Sequence, residues 1–232
     1  MTSNLRSGLC ASVMAVTVLS GWGARTQRVS SAKPPTTDKA GWTQLWNGKN
    51  LSGWRHVGPG KFTVEDGMLK SEGGMGLLWY TPRKFGNCVI RVVYKTTKKT
   101  DNSGVFIRIP DAATEPWMPV NKGYEVQIDD SGDDYHVSGV LYSLTKAAAR
   151  PGKTGEWNTM DIAIEGPRTI VLLNGVKVTD YTEGQPVPPK KESYEPDRGP
   201  RPNAGYIGLQ NHSDKDVVYF GEVAERGLGS EL

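Results

Sequence analysis

The chain has 232 residues, and at about 150 residues per domain this suits one domain with an appendage rather than two full domains. Hydrophobic residues make up 37%, charged residues 23% and aromatics 9%, a balance too apolar and aromatic for a disordered chain. The net charge of +3 comes with no basic run longer than a pair such as Lys98-Lys99, so no polybasic footprint for a nucleic-acid backbone is present.

In chain order, Arg6 and the small, apolar run Leu9 to Leu19 have the layout of an export signal over residues 1–24. The run is too short to span a bilayer. A linker rich in Ser, Thr, Lys and Pro follows over residues 25–40, and the folded domain is expected over 41–228. Removal of the signal with Cys10 would leave Cys88 as a lone thiol, so neither an intrachain disulfide nor a cysteine-rich zinc site is expected. An exported protein, periplasmic or extracellular, follows from the same reading.

From Gly41 onward, short strands recur between turn residues at roughly ten-residue spacing, and no segment holds a helical period over ten residues. This predicts an all-β sandwich. Strands are expected at 43–46, 62–65, 68–71, 76–80, 87–96, 104–109, 124–129, 159–165, 169–173, 176–181, 205–210 and 216–223. Asp66-Gly67 and Asn174-Gly175 supply the two-residue turns of hairpins, which require positive φ. The Pro-rich stretch 184–203 cannot be a central strand. It is expected as a long ordered loop or a lid, and a loop of that length inside a domain points to a function.

Side-chain alternation then places candidates for a site. In NSGVFIRI, Asn102, Gly104, Phe106 and Arg108 share one face while Val105, Ile107 and Ile109 share the core face. In YEVQIDD, Glu125, Gln127 and Asp129 oppose Tyr124, Val126 and Ile128; in YIGLQNH, Gly208, Gln210 and His212 oppose Ile207 and Leu209. On one concave sheet, Arg108, Glu125, Gln127, Gln210 and His212 would converge in a cleft walled by Trp117, Tyr142 and Trp157. A solvated sheet face is the plainer reading of any single strand. Amides, an Arg and a His interleaved with Gly are the types that instead let a ligand approach closely. A structural Arg108–Glu125 ion pair would account for those two residues without chemistry.

The ordered set GWTQLWNGKNLSGW, VEDGMLKSEGGMGLL, NSGVFIRI, GYEVQIDD, SGVLYSL, GEWNTMDIAIEG, VLLNGVKVTDY and GYIGLQNH resembles the 3-keto-disaccharide hydrolase domain family over about residues 41–228. The resemblance implies a concanavalin A-like jelly-roll sandwich, here with the long Pro-rich loop as an insertion. It implies cleavage of 3-keto-glycosides, sugars oxidised at carbon 3 by a separate upstream dehydrogenase. SGVLYSL and Asn87-Cys88-Val89 depart from the common family runs.

A ketone at carbon 3 acidifies the carbon 2 proton, so such a site needs a base, donors for an enolate oxygen and an acid for the leaving oxygen. His212 and Glu125 are the candidates for base and acid in either order, with Arg108 and Gln127 or Gln210 stabilising the enolate. A histidine has an unperturbed pKa of about 6.5, which favours His212 as the base, whereas an adjacent Arg108 would hold Glu125 too low for that task. Asn102, Trp117, Tyr142, Trp157 and Asn158 are candidates for hydroxyl and stacking contacts. No cofactor is required by the sequence; a divalent metal on Glu125, His212 and a carboxylate is compatible with the residue types, though no spacing demands it.

Two other functions fit the same residues. A non-catalytic carbohydrate-binding module would use the aromatics and amides without a titrating base. A conventional glycoside hydrolase would need two carboxylates about 5 to 9.5 Å apart. Glu125 and Asp129 on one strand lie about 13 Å apart between Cα atoms.

Overall fold

The computed structural model describes residues 41–228. The expected export signal and linker lie outside the described residues. Among the described residues are thirteen strands and one short helix: β1 (Thr43–Gln44), β2 (Trp54–Val57), β3 (Lys61–Glu65), β4 (Met68–Glu72), β5 (Gly76–Tyr80), β6 (Cys88–Thr96), β7 (Ser103–Ile109), α1 (Met118–Lys122), β8 (Tyr124–Ile128), β9 (Asn158–Glu165), β10 (Arg168–Leu173), β11 (Val176–Thr182), β12 (Tyr206–Asn211) and β13 (Val218–Gly227). All pairings are antiparallel. One sheet has eight strands in the order β11-β10-β9-β6-β13-β4-β3, with β1 against β13; the other has five, β2-β5-β12-β7-β8. This is the sandwich that the sequence predicts. No described helix is long and apolar enough to cross a membrane.

Alternation explains why the two sheets face each other. Val105 and Ile107 of β7, Tyr124, Val126 and Ile128 of β8, and Ile207 and Leu209 of β12 join Ile90, Val92, Met160, Ile162 and Phe220 of the larger sheet in one buried apolar cluster. Burying such side chains stabilises the sandwich by about 1.5–3 kcal/mol each. Both predicted hairpin turns carry the positive φ they require, 51° and 72° at Asp66-Gly67 and 52° and 78° at Asn174-Gly175. Strand β2 escapes the sequence pattern. It is four residues long, is bracketed by Gly and Pro, and has Arg55 and His56 where apolar residues would signal a strand.

The five-stranded sheet carries a second, smaller apolar cluster on its outer face, built from Leu77, Trp79, Phe106, Ile109, Ala113 and Val120. Helix α1 supplies Val120 and covers this part of the sheet, with Pro119 in its first turn where a missing N–H costs nothing. The Pro-rich segment 184–203 contains no strand or helix, yet it is firmly tied down. Arg201 donates to Gly123 O (2.8 Å), Asn121 O (3.0 Å) and Asp197 O (2.6 Å), so the loop is fastened to α1 and the start of β8. Lys122 of α1 pairs with Asp197 at 2.9 Å.

A candidate acid–base site on the five-stranded sheet

The outer face of the five-stranded sheet holds a cavity of ≈ 280 Å³ lined by Met75, Asn102, Trp117, Val120, Glu125, Gln127, Tyr142, Tyr194, Gln210 and His212. The sequence-predicted residues Asn102, Trp117, Glu125, Gln127, Tyr142, Gln210 and His212 are thus brought together. Alternation along β8 turns Glu125 and Gln127 to the face opposite the main core. Segment 139–142 runs beside β8, with Gly139 N donating to Gln127 O and Tyr142 N to Glu125 O, each at 2.9 Å, and this places Tyr142 beside Glu125.

Among the described residues that line the cavity, Glu125 is the single carboxylate. It is buried, and loss of hydration pushes its pKa up to about 8, with a side-chain hydrogen bond to Gln210 acting the other way. The site therefore holds a protonated carboxyl at neutral pH. Burial also raises the Tyr142 pKa, with the Glu125 charge adding to it, so the phenol remains an O–H donor. The oxygens Gln127 Oε1 and Gln210 Oε1 are buried with no hydrogen-bond partner in the protein. Buried acceptors left in this condition are costly unless something donates to them. Gln127 Nε2 reaches Asn102 Oδ1 at 3.3 Å.

His212 follows directly after β12, and its Nδ1 lies 2.8 Å from Asp216 Oδ2. Asp216 is buried and also accepts from Ser213 Oγ at 2.6 Å. A carboxylate on Nδ1 fixes the ring orientation and the tautomer with Nε2 as the free acceptor. The sequence reading missed Asp216, and the only signal for it was its position four residues after His212. It also missed Met75, Val120 and Tyr194. The first two are apolar walls indistinguishable from core residues, and Tyr194 sits in the Pro-rich loop already suspected of function.

Three predicted site residues lie elsewhere. Arg108 takes a left-handed backbone conformation, φ 55°, and the β7–β12 register shifts between Tyr206 and Gly208. Such a bulge breaks alternation. Ile109 consequently joins Phe106 in the outer cluster instead of Val105 and Ile107 in the main core. Fully buried, Arg108 donates to Pro202 O (2.9 Å), Gly166 O (2.8 Å), Arg168 O (3.0 Å) and Thr169 Oγ1 (3.2 Å). It neither pairs with Glu125 nor lines the cavity, so the expectation that it stabilises an enolate is corrected. Asn158 is the first residue of β9 in the larger sheet, and Trp157 directly precedes it. Trp157 stacks with Lys95, whose Nζ is 5.0 Å from the ring centroid. Asn158 spends its amide on a turn, donating to Lys153 O and Glu156 O and accepting from Lys153 N and Asn174 Nδ2.

Among the described residues, no group of three or more His, Cys, Asp or Glu side chains is gathered to hold a metal ion. The carboxylate beside His212 is already engaged by the imidazole and by Ser213. Asp129, the second carboxylate of the conventional glycosidase reading, caps its own loop by accepting from Ser131 N and Oγ, each at 2.7 Å.

A lectin-like jelly-roll sandwich carrying a buried acid and an oriented histidine on one sheet face defines the class of protein. The chain belongs to the 3-keto-alpha-glucoside-1,2-lyase-like domain family, whose pattern matches residues 41–223. A 3-keto-disaccharide hydrolase of Bacteroides thetaiotaomicron is 25% identical over 234 residues, covering 82% of this chain and 80% of that protein. The crystal structure of a provisionally named glycosyl hydrolase from Parabacteroides distasonis superposes with a TM-score of 0.63 at 27% identity, covering 81% of this chain and 99% of that one. The carbohydrate-binding module CBM66 of Bacillus subtilis shares the fold at 12% identity, with a TM-score of 0.52 over 75% of this chain and 96% of that module.

Proposed function

We propose that this protein cleaves 3-keto-glycosides by elimination across carbons 1 and 2, with water added back when the outcome is hydrolysis. The observation that carries the reading is a carboxyl with a pKa of about 8 in the same cavity as a histidine held by a carboxylate. Elimination from a 3-ketone needs one group to take a proton and another to give one. His212 Nε2 removes the carbon 2 proton, and the C–H electron pair moves through the carbonyl to make the enolate. The enolate collapses to a carbon 1–carbon 2 double bond as the carbon 1–oxygen bond breaks. Glu125 delivers its proton to the departing oxygen. In the reverse sense, the Glu125 carboxylate takes a proton from water as the oxygen adds to carbon 1, and His212 returns its proton to carbon 2.

The Tyr142 hydroxyl and the side-chain amides of Asn102, Gln127 and Gln210 supply the polar contacts to the enolate oxygen and the ring hydroxyls. The unpartnered amide oxygens of Gln127 and Gln210 suit hydroxyl donors. The substrate implies an upstream dehydrogenase that oxidises carbon 3, and the apolar run near the N-terminus supports action outside the cytoplasm. A conventional retaining or inverting mechanism finds no second carboxylate among the described residues that line the cavity.

Proton nuclear magnetic resonance of the protein with 3-keto-trehalose in deuterated water tests the reaction. Release of the second sugar with deuterium at carbon 2, absent in His212→Ala, is the expected result. Binding without cleavage or exchange would instead identify a carbohydrate-binding module.

A further inference from the structure

Large apolar side chains left exposed on a sandwich are few, and among the described residues they are Val64, Trp117, Val176 and Tyr194. The two aromatics of this set both line the one cavity that holds Glu125 and His212. They come from separate segments, Trp117 from the entry to α1 and Tyr194 from the Pro-rich loop. Trp117 is 45% exposed and Tyr194 53%. Neither ring contributes to a core cluster, so packing does not account for their placement.

The segments that carry them are braced. On the loop side, buried Glu195 accepts from Arg198 Nη2 at 2.8 Å and from Lys191 N at 3.0 Å, closing a ring of contacts around Tyr194. Arg198 in turn donates to Pro188 O at 2.9 Å and Pro196 O at 2.6 Å. On the helix side, Trp117 O accepts from Asn121 N at 3.0 Å, and Trp117 N donates to Glu115 Oε2 at 2.7 Å. The Lys122–Asp197 pair and the Arg201 bonds to Asn121 and Gly123 join the two sides. Backbone fixed in this way presents exposed rings at little further cost in conformational entropy, as a preorganised binding surface requires.

We propose that Trp117 and Tyr194 form the leaving-group subsite, an aromatic rim that stacks on the second pyranose ring of the substrate and makes the enzyme select disaccharides over glycosides with small alkyl leaving groups. This rests on the reaction proposed above and adds what that reading leaves open, the nature of the group on carbon 1. The polar side chains, Glu125, Gln127, Gln210 and Asn102, serve the ring that reacts. The rim is aromatic because a pyranose has apolar C–H faces that pack on rings, while Tyr and Trp keep a polar edge for its hydroxyls. A methyl leaving group would leave both rings uncovered and gain nothing from them.

The test measures kcat/KM for 3-keto-trehalose and for methyl 3-keto-α-glucoside with wild type, Trp117→Ala, Tyr194→Ala and Tyr194→Phe. Loss of a stacked ring is expected to cut the ratio of the two values about tenfold in each alanine variant. Tyr194→Phe, which keeps the ring, is expected to retain most of the preference. Saturation-transfer nuclear magnetic resonance with methyl α-maltoside, an unoxidised disaccharide whose two pyranose rings give separate signals, reads the same contact without turnover, through transfer to both sugar rings in wild type and its loss from the methyl-bearing ring in the alanine variants. An unchanged ratio in both alanine variants overturns the rim while leaving the reaction standing. If wild type cleaves neither compound, the reaction falls and the rim is judged by saturation transfer alone: selective loss from one ring upholds it, and equal transfer in wild type and variants overturns it.

Discussion

Glu125 lies across Gly104. A Cβ placed at position 104 would sit 2.6 Å from Glu125 Cγ and 2.7 Å from Oε1, well inside contact distance. Strand β7 runs between β8, which carries Glu125, and β12, which carries Gln210. The missing side chain on the intervening strand is what lets the carboxyl meet Gln210 across the sheet. The glycine is a spacer for the acid rather than a turn residue.

Gly104→Ala is therefore expected to push Glu125 off its position. Overpacking of this kind costs about 1–3 kcal/mol. Because the displaced group is the proposed proton donor, turnover should fall by more than the loss of folded protein explains. Denaturant unfolding and kcat on the same preparation separate the two effects.

The raised pKa of Glu125 makes a prediction about stability. In the unfolded chain this carboxyl titrates near 4.5, and in the folded protein near 8. Between those values the folded state binds the extra proton, so stability is greatest below the lower value and declines as pH rises, levelling above the higher one. The slope attributable to this group is about 1.4 kcal/mol per pH unit within the window. Unfolding midpoints of wild type and Glu125→Gln at pH 5, 6.5 and 8 should diverge, with the variant losing less stability as pH rises. In turnover, Glu125→Gln is expected to be inactive, and wild-type activity should fall above about pH 8 as the acid loses its proton.

Asp216→Asn probes the orientation of His212. General acid–base groups contribute about 10²–10⁴-fold, and misorienting one forfeits part of that. A lowered kcat with little change in KM is expected, together with altered ring-nitrogen chemical shifts for His212. Loss confined to KM would show that Asp216 only shapes the binding surface.

Arg108 is expected to matter for folding rather than chemistry. Its removal strands the carbonyls of Gly166, Arg168 and Pro202, and buried groups left unsatisfied cost about 1–3 kcal/mol each. Arg108→Met should lower the unfolding midpoint steeply and leave turnover per folded molecule intact. A folded variant without turnover would return Arg108 to the mechanism.

Much of this was legible in the sequence because it depends on local rules. Period-two alternation set the faces of β8 and β12, so Glu125, Gln127 and Gln210 could be assigned to a shared surface from residue order. The Asp66-Gly67 and Asn174-Gly175 turns could be read from the demand for positive φ. The ordered motifs gave the family and with it the sandwich.

Tertiary structure decided the rest, because those outcomes depend on what lies nearby in space. Alternation assumes an unbroken ladder, and the bulge at Arg108 inverts it, sending the guanidinium into the protein and Ile109 to the outer face. The charge state of Glu125 is set by desolvation, which residue order does not report; with Arg108 absent from its side, the shift runs upward rather than downward. Asp216 reaches His212 through a turn with no periodic signature. Tyr194 arrives at the cavity only because Arg198 and Arg201 brace a Pro-rich loop that carries no regular hydrogen bonding of its own. Local pattern thus fixes which face a strand residue can occupy, while burial, bulges and loop bracing fix which residues meet there and in what protonation state.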